Sequence, residues 1–126
     1  MQTGWKKISG DWYYFNEKGD MRYGKWLKDN GKWYYFNQNG TMRTSWLNYN
    51  GSWYAFDANG AMMTGWKKIS GKWYYFNANG TMRAGQWLKD NGKWYYLNAG
   101  GTMRTDWLKY NGTWYQFDAN GVCLNA

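Results

Sequence analysis

Pairs of tryptophans seven residues apart recur six times along this chain: Trp5 and Trp12, Trp26 and Trp33, Trp46 and Trp53, Trp66 and Trp73, Trp87 and Trp94, Trp107 and Trp114. Two residues after the second Trp stands Tyr14, Tyr35, Tyr75 or Tyr96; the third and sixth pairs have Ala55 and Gln116 there instead. Each set ends near a methionine, Met21, Met42, Met62, Met82 or Met103, with Cys123 in the sixth place. Indole and phenol rings that converge on a gap attract a cation with their electron-rich faces. Their apolar bodies suit methyl groups, so a quaternary ammonium fits such a cage at roughly 0.5–2 kcal/mol per cation–π contact.

Other chemistries lack their residues. There is no His, which removes the usual general base and the commonest metal ligand. Cys123 is the single cysteine, so neither an intrachain disulfide nor a cysteine metal cluster is available. Of the eight carboxylates, Asp29 and Asp90 flank turns and Asp57 and Asp118 sit in loops, places where Asp ordinarily has a structural role. The expectation is a binding protein with no catalytic residue, no metal and no cofactor.

The elements that must position these rings follow from the spacing. Leading tryptophans lie 21, 20, 20, 21 and 20 residues apart, the signature of a stacked repeat. Within each repeat Asn30-Gly31, Asn50-Gly51, Asn91-Gly92 and Asn111-Gly112 mark two-residue type I′ hairpin turns, with Ser9-Gly10 and Ser70-Gly71 in the same place. The flanks, rich in Trp, Tyr and Phe, favour strands. The turn sets the register, so Trp26, Trp33 and Tyr35 share one face, and Leu27, Tyr34 and Phe36 the other. The second face is expected to point inward. An N/D-x-x-G turn then closes each repeat, from Asn16–Gly19 to Asp118–Gly121.

A single hairpin is marginal in water, so neighbours must stack. The expected fold is an all-β solenoid of six hairpins forming a single module over residues 1–126, with repeats at 4–24, 25–44, 45–64, 65–85, 86–105 and 106–126. A slower period is superimposed: GWKKISGDWYYFN returns as GWKKISGKWYYFN 61 residues later. Duplication of a three-repeat block explains it, and three repeats per superhelical turn are expected. Extra residues at Gly24-Lys25 and Gly85-Gln86 should change the step to the next hairpin.

The net charge of +8 suits an anionic partner or plain solubility. No stretch approaches the ~20 apolar residues of a membrane span. The chain opens Met1-Gln2-Thr3 without a signal peptide, which reads as an excised or engineered segment of a longer protein.

The pattern G-W-x6-W-Y-Y-F-N-x-x-G-x-M, at Gly4–Met21 and Gly65–Met82, resembles the choline-binding repeat of pneumococcal and phage autolysins and surface proteins. The resemblance extends over all six repeats. It implies a left-handed solenoid with choline held between consecutive hairpins by Trp, Trp and Tyr beside a Met. It further implies phosphocholine of teichoic or lipoteichoic acid as partner, with a choline-dependent homodimer as an option. Cages that draw on Ala55 or Gln116 are expected to be weak, Ala55 foremost. The alternative is glycan binding by ring stacking, as in glucan-binding and toxin repeats; the Trp-Trp-Tyr-Met face offers few directional hydrogen-bonding groups for it. Single-stranded nucleic acid is disfavoured, since the rings alternate with polar residues on hairpins and line no groove.

Overall fold

The computed structural model describes residues 4–125. Among them there are twelve five-residue strands and no helix. They pair as six antiparallel hairpins: β1 (Gly4–Ile8) with β2 (Asp11–Phe15), β3 (Lys25–Asp29) with β4 (Lys32–Phe36), β5 (Ser45–Tyr49) with β6 (Ser52–Phe56), β7 (Gly65–Ile69) with β8 (Lys72–Phe76), β9 (Gln86–Asp90) with β10 (Lys93–Leu97), and β11 (Asp106–Tyr110) with β12 (Thr113–Phe117). The turns are the expected ones. Asn30 has φ 53° and Gly31 φ 80°, and Ser9-Gly10 does the same at 52° and 88°. With both central residues left-handed, Trp26 pairs with Tyr35 and Leu27 with Tyr34.

Each repeat contains more than its hairpin. The N/D-x-x-G turn closes with the Gly19 N–H donating to the Asn16 carbonyl at 2.8 Å and the Asn16 N–H to the Asp20 carbonyl at 2.9 Å. The chain then runs back beside the second strand, where Met21 bridges Phe15, Met42 bridges Phe36 and Met62 bridges Phe56. This third, one-residue strand carries the methionines, and it also makes the link to the preceding hairpin. The Met42 N–H donates to the Trp12 carbonyl at 2.9 Å, and Met62 to Trp33 at 2.8 Å. Met103 to Trp73 and Cys123 to Trp94 repeat the contact at 2.8 Å each. Cys123 thus takes the methionine's backbone place in the last repeat.

The molecule divides into two compact units, Met1–Met63 and Thr64–Ala126, three hairpins apiece. The division coincides with the 61-residue duplication. Inside each unit, the Leu-Tyr-Phe face of one hairpin packs on the Trp-bearing face of the hairpin before it. Phe36, Phe76 and Leu97 are fully buried, and Phe56 and Phe117 nearly so. The inward role expected of that face therefore holds for Phe36, Phe56, Phe76, Leu97 and Phe117 at the strand ends and for Leu47 and Leu88, whereas Phe15 of the first hairpin is half-buried.

Three of the four arginines bond across the joint to the next repeat, and Arg83 bonds within its own. Arg43 donates from Nε and Nη2 to the Trp46 carbonyl at 3.1 and 2.8 Å, and from Nη1 to Asn37 Oδ1 at 3.1 Å. Arg104 donates from Nη2 to the Trp107 carbonyl and from Nη1 to Asn98 Oδ1. Arg22 reaches the Trp26 carbonyl, and Arg83 reaches Asn77 Oδ1. Where the joint has its extra residue, the freed Gly24 N–H donates to the Asn37 carbonyl at 3.1 Å, and Gly85 to Asn98 at 3.0 Å.

Candidate functional site

The leading Trp of one hairpin lies edge-on against the tyrosine that opens the inner face of the next. Trp5 and Tyr34 have ring centroids 5.0 Å apart at 67°, and Trp66 and Tyr95 4.9 Å apart at 61°. Trp12 stands at 81° to Trp5, 6.3 Å away on its own hairpin. Together Trp5, Trp12, Tyr34 and Met42 line an open cavity of about 410 Å³, to which Ala58 and Asn59 of the third repeat also contribute. In the second unit Trp66, Trp73, Tyr95, Met103, Ala119 and Asn120 line one of about 340 Å³. Every one of these six residues is the counterpart, 61 positions on, of one in the first cavity. Trp12 and Trp73 are 39% and 41% exposed, far more than a core indole, so their faces are accessible to a ligand.

The sequence left open which ring closes which neighbour's cage, and the two cavities draw their rings from more than one repeat. Trp5 and Trp12 come together as expected, but Tyr14 and Met21 do not line their cavity, and Tyr34 and Met42 of the following repeat do. Likewise Tyr75 and Met82 give way to Tyr95 and Met103 beside Trp66 and Trp73. Tyr14 packs edge-on against Trp5 at 5.4 Å, and Tyr75 against Trp66 at 5.2 Å. Tyr35 is 8% exposed in a core with Leu47 and Phe56. The phenols on the tryptophan face are thus supports that hold the leading Trp. The phenol that lines the cavity comes from the opposite face of the next hairpin.

The same ring arrangement recurs at the second step of each unit. Trp26 meets Tyr54 at 5.0 Å and stands 6.4 Å from Trp33. Trp87 meets Tyr115 at 5.0 Å, with Trp94 6.3 Å away and Tyr96 in the supporting place at 5.3 Å. One residue distinguishes the steps. At the first step Asp29 Oδ2 accepts the Trp5 indole N–H at 3.1 Å, and Asp90 accepts that of Trp66 at 3.3 Å. At the second step the same strand position holds Tyr49 or Tyr110, each packed perpendicular to Trp26 or Trp87 at 5.6 Å. Lys28 and Lys89 also place their ammonium groups 5.8 and 5.7 Å from the rings of Trp33 and Trp94. In the third and sixth hairpins the Trp pairs persist, Trp46 with Trp53 at 6.3 Å and Trp107 with Trp114 at 6.4 Å. Ala55 is buried opposite Trp46, and Gln116 is opposite Trp107.

Asp29, Asp90, Tyr34 and Tyr95, with the loop residues Ala58, Asn59, Ala119 and Asn120, are the site residues that sequence reasoning missed. A signal for the aspartates was present, since Asp recurs before Asn-Gly 61 residues apart in otherwise variable positions. Among the described residues no group of three His, Cys, Asp or Glu could hold a metal, and no helix is long and apolar enough to cross a membrane.

A stack of hairpins whose facing surfaces enclose Trp-Trp-Tyr-Met cavities defines a repeat-built binding module for small cationic or apolar groups. Comparison with known proteins makes the class specific. The family model described as the choline-binding repeat matches residues 2–30, 24–64, 63–100 and 85–123, and the chain belongs to that family. Among solved structures it is similar to choline binding protein F from Streptococcus pneumoniae, at 44% identity and a TM-score of 0.89 over 97% of this chain. CbpJ from Streptococcus pneumoniae TIGR4 gives 41% identity and a TM-score of 0.90 over 97% of this chain. The multimodular pneumococcal cell wall endolysin from phage Cp-1, solved complexed with choline, gives 37% identity and a TM-score of 0.69 over 98%. The chain spans 41%, 42% and 37% of those three chains. A search of curated protein sequences gives no match.

Proposed function

We propose that the chain is a non-catalytic module that binds choline and phosphocholine on wall teichoic or lipoteichoic acid, and so anchors a larger protein to the cell surface. The observation that carries this reading is the cavity of Trp5, Trp12, Tyr34 and Met42, reproduced by Trp66, Trp73, Tyr95 and Met103. Three electron-rich rings from two hairpins present their faces or edges to one gap. A trimethylammonium group placed there gains several cation–π contacts and buries its methyls against the Met thioether.

One such cage supports only weak binding, in the millimolar range for a few kcal/mol. Repetition compensates. A polymer that presents many cholines engages several cages on one chain, and each further contact is intramolecular.

The test is a thermal melt with and without choline, with Trp emission followed in parallel. A dose-dependent rise in Tm and a change in emission, absent with glucose or dextran, supports the reading. No shift at high choline removes it, and a shift with dextran alone favours glycan stacking.

A further inference from the structure

Each cavity has one polar lining residue that the rings do not explain. Asn59 lines the first beside Trp5 and Trp12, and Asn120 lines the second beside Trp66 and Trp73. Both come from the N/D-x-x-G turn two repeats downstream, so each cavity is assembled from three repeats.

The same turn position is occupied by asparagine in other repeats, but there the side chain is engaged. Asn39 Oδ1 accepts from the Thr41 N–H at 3.0 Å and from the Thr41 hydroxyl at 2.7 Å. Asn79 and Thr81 repeat this at 3.1 and 2.7 Å. In the third and sixth repeats two substitutions undo the arrangement. The threonine is replaced by Ala61 and Val122, which have no hydroxyl. The first turn residue becomes Asp57 or Asp118, whose Oδ1 takes over both backbone N–H groups: Asn59 and Ala61 at 2.9 and 3.0 Å, Asn120 and Val122 at 2.9 Å each. The turn stays closed without the asparagine side chain. The carboxamides of Asn59 and Asn120 are exposed and make no hydrogen bond among the described residues.

From this we infer that Asn59 and Asn120 are specificity residues, which rests on the quaternary-ammonium reading of the cavities. With the ammonium against the indoles, the carboxamide donates an N–H to the oxygen that choline carries two carbons from its nitrogen. That oxygen is a hydroxyl in free choline and a phosphate ester in phosphocholine. The cages with a free asparagine thus select choline-type ligands from other tetraalkylammonium ions.

The experiment is calorimetric titration of the full chain and its Asn59→Ala/Asn120→Ala variant with tetramethylammonium, choline and phosphocholine. The variant is expected to bind tetramethylammonium unchanged and to lose roughly fivefold in affinity for ligands that carry the oxygen. Asn59→Asp/Asn120→Asp separates the two sources of that oxygen: its carboxylates accept the choline hydroxyl but repel phosphate, so choline binding is kept and phosphocholine binding falls further. Equal affinities of the alanine variant and the parent for all three ligands overturn the inference. So does a parallel loss for tetramethylammonium, which would make the loop a wall of the cage and not a reader of oxygen. Failure of the parent to bind any of the three removes the quaternary-ammonium reading together with this one.

Discussion

At the scale of the residue, the two tyrosines of each W-Y-Y triplet do different work. Tyr34 meets Trp5 across a hairpin boundary and lines the cavity, whereas Tyr35 is buried beneath Trp26. Tyr34→Ala/Tyr95→Ala is therefore expected to weaken choline binding by about tenfold at the two first-step cages, roughly one cation–π contact each, with little change in melting temperature without ligand. Tyr35→Ala removes a buried ring and is expected to destabilise by about 3–5 kcal/mol. Equilibrium titration and denaturant melts of both variants check the pair, and a reversed pattern would return the ligand to the Trp26–Tyr35 face. Asp29 belongs to the same argument. Its carboxylate holds the Trp5 indole N–H at 3.1 Å, fixes the ring plane and adds negative charge beside it. Asp29→Asn keeps a side-chain oxygen that can accept the indole N–H but loses the charge. Affinity for choline is expected to fall by about threefold at that cage, measured against the Asp90 cage as an internal reference.

The Trp pairs, the register and the face of every ring were legible in the sequence, because a two-residue turn and a period of two leave no freedom in Trp26↔Tyr35 or Leu27↔Tyr34. The identity of the cage tyrosine was not. Which face of the next hairpin meets a given Trp depends on stacking direction. That direction is set by the Met42–Trp12 and Met62–Trp33 backbone bonds, which join residues about 30 positions apart and have no local signature. Tyr14, Tyr35, Tyr75 and Tyr96 were carried over from the family pattern, which places the cages between consecutive hairpins and leaves open which ring closes which gap.

At the scale of the element, the loop glycines are fixed by two constraints at once. Gly60 has φ +83°, and a Cβ built there would overlap Sδ of Met42, the methionine of the first cavity. Gly40, at φ +90°, stands in the same relation to Met21, with Sδ 2.6 Å from the added carbon. Gly60→Ala must strain the backbone and displace Met42. It is expected to cost about 2–4 kcal/mol and to weaken choline binding as well. A melt and a titration of one variant check both effects. The joints show the converse. Gly4 and Gly65 begin their strands at φ 71° and 72°, and the equivalent positions Ser45 and Asp106 hold φ 67° and 66° with a side chain attached. Ser45→Gly is expected to relieve about 1 kcal/mol of strain and to raise Tm by roughly 4 °C, with choline affinity unchanged. The joint conformation was hidden in the sequence because Ser and Asp do not advertise a left-handed residue as Gly does.

At the scale of the whole molecule, charge and cages divide the labour. The chain holds 16 basic residues, of which Arg22, Arg43, Arg83 and Arg104 bond to loops and joints. The other twelve are lysines, and every one is exposed. None of these lysines lines either cavity. Binding of free choline at these two cavities should then depend on the groups that line and brace them and not on lysine charge, whereas binding to an anionic wall polymer should add long-range attraction from the lysines. Screening distinguishes the two contributions, since the Debye length contracts from about 10 Å at 0.1 M salt to about 3 Å at 1 M. Over that range the affinity for free choline is expected to hold within about twofold, while attachment to phosphocholine-bearing polymer weakens by tenfold or more. Retention on a choline matrix and on purified wall, measured in parallel salt series, checks this. Equal salt sensitivity on both would place lysine charge inside the cages. Salt-independent attachment to wall would leave the +8 charge without a part in binding and assign it to solubility.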